Sequence, residues 1–504
     1  MSNVNYNHKT LSQRIVLGVF ICLTPFLGLA QGEVGLIDFK MRKPETVDLV
    51  KTANGDLVYC FLNTREIQLS TVTSNYSNSS AVFQTSKELV RSEYIVSTRD
   101  QAFHTLYFFS HKLNSIQAYN IDLSLSTTQT IQSAMIPKEE SFLTAVVINN
   151  KLYVLTVAKV GSMINLWEFF RGTSLSKTPF DTHKLKFHES LESREEDLNE
   201  KKYSSIGIDR IDYALESNLK SAHANNKLYC VGDSIMITID EPDHTRLYTI
   251  DANQKKFSEK NFLFKLEKGE NSGDKQGNSF LYNKQLFRTT INNEMMNISV
   301  LDIDSVKLQW SYNIFPNQPI TIKNGPMITE GQKDKVLPNT AQYFNRILSG
   351  RICIAVNEIN DQYLVQVGSY EYRNSMNSYN SGGPNISIGM GIGMGGVGMG
   401  FPVTGGGYGT GMSGYYNGYP GYYPSDAYSY IETTYFYSLM DSKTLAHSPL
   451  APPKTIKERL NEYEDQKFKK GIPDLIKVFP LENKVILMGY YAKHLHKYQL
   501  VEIR

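Results

Sequence analysis

The 504-residue chain has little charge of either sign to spare. It carries 52 Lys and Arg against 50 Asp and Glu. That balance removes the broad basic face with which a nucleic-acid binder displaces phosphate counterions, so no nucleic-acid partner is expected. Cysteine is scarce, at four residues, and tryptophan scarcer, at two. No Cys-x-x-Cys pair occurs, which removes the usual structural zinc sites, and no metal is expected. His-Glu-x-x-His, the EF-hand loop and the Gly-x-Ser-x-Gly elbow are also missing, and no Gly-Lys-Ser or Gly-Lys-Thr follows a glycine loop. No cofactor is expected. With 41% hydrophobic residues, however, the chain has enough apolar material for a large core.

The first 30 residues read as an export signal. Lys9 and Arg14 lie in a polar leader, and an apolar run follows at 15–29, interrupted by Thr24 and Pro25. Gly28 and Ala30 are small residues at the −3 and −1 positions of a cleavage site. The run is shorter than the roughly 20 residues a membrane-spanning helix needs. Cys22 lies inside the run, behind Ile21, where lipidation is not expected. Removing 1–30 deletes Lys9 and Arg14 and no acid, so the mature chain carries 50 charges of each sign. No transmembrane span is expected in the mature chain. The expected location is outside the cytoplasm: periplasm, outer-membrane surface or medium. Cys60, Cys230 and Cys353 remain, each in an apolar run. They read as small buried hydrophobes, or as one disulfide with a spare thiol.

What the chain does have is a loose repeat. A polar turn, often Asn-x-Lys or Asn-Gly-Asp, leads into four to six strand-forming residues, and a second alternating strand follows. The clearest copies are NNKLYVLTVA at 149–158 and NNKLYCVGDS at 225–234. Others begin at 54, 104, 282, 349 and 482. Asn and Gly suit the left-handed positions of tight hairpins, and Val, Ile, Tyr and Phe suit a buried pleated strand. The first copies are 50 and 45 residues apart, close to the length of one propeller blade. Second strands are expected at 116–122, 246–251, 298–304 and 498–503. Wider spacings hold insertions: a charged segment at 188–205, and 454–470, where Ile456, Leu460 and Tyr463 recur at helical spacing.

Taken together the copies resemble a β-propeller in architecture, without the signature of a particular propeller family. The resemblance implies an all-β chain of about seven blades (six to eight), with short helical insertions, forming a single domain over 31–504. It also implies that the segment 35–41 closes the ring as a strand of the last blade, which would remove two exposed sheet edges.

Within that domain, 376–428 is a low-complexity insertion. Between 380 and 424 lie 17 of the chain's 35 glycines. Its second half carries Tyr408, Tyr415, Tyr416, Tyr419, Tyr422 and Tyr423. Tyrosine rings offer flat amphipathic surface for stacking on sugars or aromatic groups, so these six are the candidate partner-binding residues. The flanks near 362–372 and 430–440 both read as strands.

Smaller features offer weaker candidate sites. His494 and His496 would share one strand face. The turn 240–244 (DEPDH) is acidic, although Pro and Asp are ordinary turn residues. Arg91, Arg99, Arg210 and Arg351 are scattered singly. Three functional readings follow. The first is a non-catalytic binding or scaffold propeller of the cell envelope, contacting an envelope protein or glycan through loops. The second is an exported carbohydrate-active hydrolase with its site at the channel mouth. The third is a surface protein that self-associates through the Gly/Tyr tract. The absence of catalytic motifs favours binding over catalysis.

Mass spectrometry of the exported protein is expected to show Gln31 as the first residue. Recovery with 1–30 attached would make that segment an anchor.

Overall fold

The computed structural model describes residues 32–503 apart from 183–207, 265–274, 375–428 and shorter stretches of at most eight residues. The charged segment 188–205 and all six tyrosines of the Gly/Tyr tract lie outside the described residues.

Strand-forming runs alternate with tight turns from end to end, and the turns have the chemistry their sequence implies. Asn149 and Asn150, Asn283 and Lys284, and Asn360 and Asp361 all take positive φ in consecutive pairs. That is the backbone of two-residue hairpins whose twist matches the strands they join. Among the described residues the hairpins assemble into seven sheets of four or five strands. Blade 1 spans Thr46–Lys51 to Asn78–Gln84, blade 2 Glu93–Arg99 to Thr127–Met135, and blade 3 Glu140–Ile148 to Thr173–Asp181. Blade 4 runs from Ile208–Ile211 to Lys256–Leu263 and blade 5 from Gln276–Tyr282 to Lys307–Ile314. Blade 6 uses five strands between Met327–Glu330 and Ser429–Asp441, and blade 7 begins at Asp474–Pro480. The chain is a β-propeller.

Blade 7 is completed from the other end of the chain. Gly32–Asp38 pairs antiparallel with Lys497–Ile503, from Gly32 opposite Glu502 to Asp38 opposite Lys497. The closing strand therefore starts earlier than 35–41. Phe39 and Met41 have left the sheet and pack into the junction with blade 1.

The second strand of a blade explains the packing. In Leu57–Leu62 every residue is buried. Alternate side chains leave opposite faces of a strand. Leu57, Tyr59 and Phe61 face Leu487, Tyr491 and Leu500 of blade 7, while Val58, Cys60 and Leu62 face Leu106, Phe108 and Tyr119 of blade 2. Tyr107 and Phe109 then meet Leu152 and Val154 of blade 3, and Tyr153 and Leu155 meet Leu228 and Ile237 of blade 4. Blades 4, 5 and 6 share one continuous cluster. Each fully buried large apolar side chain contributes roughly 1.5–3 kcal/mol. Outermost strands alternate exposed with half-buried positions instead, as in Thr173–Asp181, whose Lys177 and Pro179 discourage pairing with another chain.

Three features depart from the simple repeat. Blade 4 gains Ile208–Ile211 as a parallel edge strand. In blade 6 the chain lays down Met327–Glu330 and Lys335–Leu337 first, crosses by the helix Thr340–Ser349, and only then forms Arg351–Ile359 at the opposite edge of the sheet. The repeat copy at 349–358 is thus an edge strand, whereas the other six copies mark the second strand of their sheets. Finally, one face of blade 7 is covered by the helix Ile456–Lys467. It buries Ile456, Leu460 and Tyr463 against Ile486, Met488 and Val501. These are the three positions whose spacing predicts a helix.

The three described cysteines are free. Cys60 and Cys353 are buried in blade junctions and Cys230 is half-buried.

His104 lies fully buried at the junction of blades 1 and 2, and neither ring nitrogen has a hydrogen-bond partner among the described residues. Burial, helped by the nearby Arg99 and opposed by Asp48, pushes its pKa down to about 3. The unfolded chain therefore takes up a proton near pH 6.5 that the folded chain refuses. Stability should fall by about 1.4 kcal/mol per pH unit between roughly 6.5 and 3. Urea titrations of wild type and His104→Leu across that range check this. An unchanged slope in the variant would assign the acid sensitivity elsewhere.

Candidate functional site at blade 6

Among the described residues, blade 6 carries the longest hairpin. Gln362–Asn374 and Ser429–Asp441 pair residue for residue, from Gln362 opposite Asp441 to Asn374 opposite Ser429. The flanks of the Gly/Tyr tract are therefore neighbouring strands, and the tract is the connection between them. The edge strand Arg351–Ile359 reaches only to Tyr370, and Met327–Glu330 only to Thr433. Beyond them the pairs from Glu371–Glu432 to Asn374–Ser429 have no flanking strand among the described residues, so the hairpin continues as a two-stranded stalk. Its root is tightly built. A side chain at Gly368 would meet the Thr434 carbonyl at 1.8 Å, so the two strands close here only with glycine. Glu371 and Glu432 face each other directly, an unfavourable pairing of like charges. The helix Thr340–Ser349 answers it: Arg346 lies 3.5 Å from Glu432, and the Ser349 hydroxyl donates to Glu371 at 3.2 Å.

Beside the stalk blade, Tyr213 and the segment 216–225 lie between the edge strand of blade 4 and blade 6 and form a strap. The Tyr213 hydroxyl donates to the Leu281 carbonyl of blade 5 at 2.5 Å. Ser217 is held from both sides by one amide. Its N–H donates to Asn357 Oδ1 at 2.6 Å and its carbonyl accepts from Asn357 Nδ2 at 2.8 Å. Leu219 N–H donates to Gln366, and the Ala224 carbonyl accepts from Asn278. The His223 ring stacks on Tyr370 at 4.2 Å. Glu216 reaches furthest and accepts the Ile456 N–H at the start of the helix that covers blade 7. Burial and then the neighbouring Glu458 raise its pKa to about 7, against the Ile456 N–H and Arg459.

The acidic turn 240–244 divides into two environments. Asp240 is fully buried with Lys227 at 3.2 Å and Arg288 at 3.2 Å, both themselves fully buried. Arg288 also donates to the carbonyls of Glu241 at 2.5 Å and Pro242 at 3.2 Å, and to the Thr245 hydroxyl. Its guanidinium lies 4.5 Å over the Phe264 ring and fills the space where Gly277 has no side chain. Burial works against ionisation of Asp240, but the two cations and the hydrogen bonds from Thr245 and Ser279 outweigh it and hold the carboxyl low. This is a structural knot between blades 4 and 5. Outside it, Glu241, Asp243 and His244 come close enough to share a cation. That place already has one: Arg246 bonds Glu241 at 3.0 Å and donates to His244 Nε2 at 3.2 Å, while His244 Nδ1 engages Asp243 at 2.7 Å.

The other sequence candidates do not converge. His494 and His496 are not on a strand face. They occupy the exposed turn joining Ile486–Ala492 to Lys497–Ile503, because that hairpin needs a residue with positive φ and His496 supplies it, at 53°. Arg99, Arg210 and Arg351 lie in blades 2, 4 and 6, and Arg91 is outside the described residues. Sequence reading missed Glu216, Asn357, Lys227 and Arg288. Glu216, Asn357 and Arg288 find their partners 240, 140 and 48 residues away, where only the fold brings them together, and Lys227 meets Asp240 across one hairpin.

No family model matches the chain, and no curated protein matches it. Among solved structures, the Dos1 propeller is 9% identical, with a TM-score of 0.27 over 64% of this chain and 65% of that one. The β-propeller domain of the Trilobed protease from Pyrococcus furiosus is 6% identical, with a TM-score of 0.27 over 64% and 78%. The match to the dihydro-heme d1 dehydrogenase NirN, at 7% identity and a TM-score of 0.25, spans 52% of this chain and only 45% of that one. The propeller assignment rests on the sheet topology.

Asp240→Asn would leave two buried cations without their anion, a loss of about 3–5 kcal/mol. Chemical denaturation measures it, and a loss below 1 kcal/mol would mean that Lys227 and Arg288 are held by their other partners alone.

Proposed function

We propose that the chain is an exported β-propeller that acts as a binding scaffold in the cell envelope, presenting the tract 375–428 to an envelope protein or glycan. The observation that carries this reading is the stalk. A loop with no task needs only a tight turn, whereas here two strands of 13 residues run paired past their neighbours before the tract begins. Such a base fixes the two ends of the tract and the direction in which they leave the blade. The tract itself supplies six tyrosines within 408–423, a composition suited to stacking on sugar faces or aromatic side chains. Export rests on the leader at 1–30. The shifted carboxylates favour a structural role for the blades themselves. Glu168 is held at about 2 because hydrogen bonds from Lys151, Lys255 and Ser176 overcome its burial, and Asp240 is locked by Lys227 and Arg288.

Replacing 375–428 by an Asn-Gly turn tests the reading. The shortened protein should melt within a few degrees of wild type and lose its partner in a pull-down from envelope membranes or on immobilised glycans. A large fall in melting temperature would make the tract part of the fold. Unchanged recovery would remove the tract from recognition. Loss of an oligomer on size exclusion, with no foreign partner, would point to self-association.

A further inference from the structure

Among the fastenings of the strap 216–225, two differ in kind. At one, the Asn357 amide both gives to and takes from the Ser217 backbone, a pair of neutral hydrogen bonds that pH does not touch. At the other, the single carboxyl of Glu216 accepts the first N–H of the helix Ile456–Lys467. That helix already has its own cap. The Thr455 hydroxyl accepts from Glu458 N–H at 3.2 Å, and the Glu458 carboxylate accepts from Thr455 N–H at 2.7 Å, the reciprocal arrangement of a capping box. Glu216 is thus a second carboxyl brought to a helix end whose first turn already holds one. From the helix it faces Glu458 and Arg459. From blade 6 it faces Tyr437, whose own neighbours are Tyr435 and Glu330, joined by a 2.5 Å hydrogen bond. Glu458 and the Tyr437 phenol therefore face it, with Glu330 and Tyr435 one neighbour further on, and Arg459 is the cation that faces it among the described residues.

We propose that the strap is a pH-sensitive latch joining blade 4 to blade 6 and to the blade 7 helix, held closed while the Glu216 carboxyl keeps its proton and released as that carboxyl ionises. The direction follows from linkage. In a released strap Glu216 is in water, with an ordinary pKa near 4.5; in the closed strap it titrates near 7. Closure is fully favoured below the lower value and loses strength as pH rises through the upper one. The opening equilibrium should grow on the order of 100-fold between pH 4.5 and pH 8, the change that a displacement of this size implies. Release would uncover Leu219 and Ala222, both buried in the closed strap. The latch is independent of what the Gly/Tyr tract binds.

Hydrogen exchange read by mass spectrometry on the full-length protein tests it, at pH 5 and pH 8, with rates corrected for intrinsic exchange. Wild type should show strap peptides within 216–225 exchanging on the order of 100-fold faster at pH 8, while Phe103–Ser110 of blade 2 stays protected. Glu216→Gln keeps an acceptor for Ile456 N–H and cannot ionise, so its strap should stay protected at both pH values. Asn357→Ala cuts the paired, pH-independent fastening of Ser217 and should raise strap exchange at both, which establishes that the measurement sees strap opening. A wild-type strap equally protected at pH 5 and pH 8 overturns the proposal. So does the same pH dependence in Glu216→Gln, or a rise at pH 8 that the blade 2 control shares.

Discussion

Every blade has strands buried on both faces, and that constraint sets the rest of the structure. A sheet with two apolar faces needs two covers. In a line of sheets the end members would each lack one, so the line curves until blade 1 meets blade 7. The residues of Leu57–Leu62 state this directly, since odd positions pack on blade 7 and even positions on blade 2. Closure is therefore a packing requirement as much as a pairing one. Against the second face of blade 7 the described residues place the helix Ile456–Lys467, which covers it with Ile456, Leu460 and Tyr463.

Polar side chains add direction to this nonspecific burial. Asn149 of blade 3 donates to Asp233 of blade 4 at 2.7 Å, Asn283 of blade 5 to Glu358 of blade 6 at 2.7 Å, and Arg171 of blade 3 pairs with Asp100 of blade 2 at 2.7 Å. Partly exposed pairs of this kind contribute little stability each. Their value lies in register: a blade that slid along its neighbour would break them all. The buried knot of Lys227, Asp240 and Arg288 is the stronger form of the same device, since misplacement there would strand a charge away from water.

The legible part of this fold was the part written locally. Turn asparagines, alternating strands and the helical spacing at 456–463 all concern residues a few positions apart, and all were readable. The strand pairing around the Gly/Tyr tract was readable too, because two β-like flanks bracket one insertion. What escaped was whatever depends on distant partners. The outside-first order of blade 6 looks in sequence like any other hairpin followed by a helix. Glu216 sits in an undistinguished stretch, and its partner Ile456 is 240 residues away. His494 and His496 misled for a different reason: their alternation is also what a four-residue turn displays when its last position takes positive φ.

Gly32–Asp38, the strand that completes blade 7, is the first strand of the described chain, yet its only strand partner there is the last one, Lys497–Ile503. It can dock only after the sequence between has been made and arranged. Until then the growing assembly is an arc, with the bare face of blade 1 at one end and an unpaired edge at the other. The contact of greatest sequence separation must come late, because the entropic cost of joining the ends is recovered only once the blades between have ordered. The same few hydrogen bonds that finish the ring thus act as its completion check: a chain missing its final hairpin keeps an orphaned first strand and an uncovered blade, and is marked as unfinished by the surface it exposes.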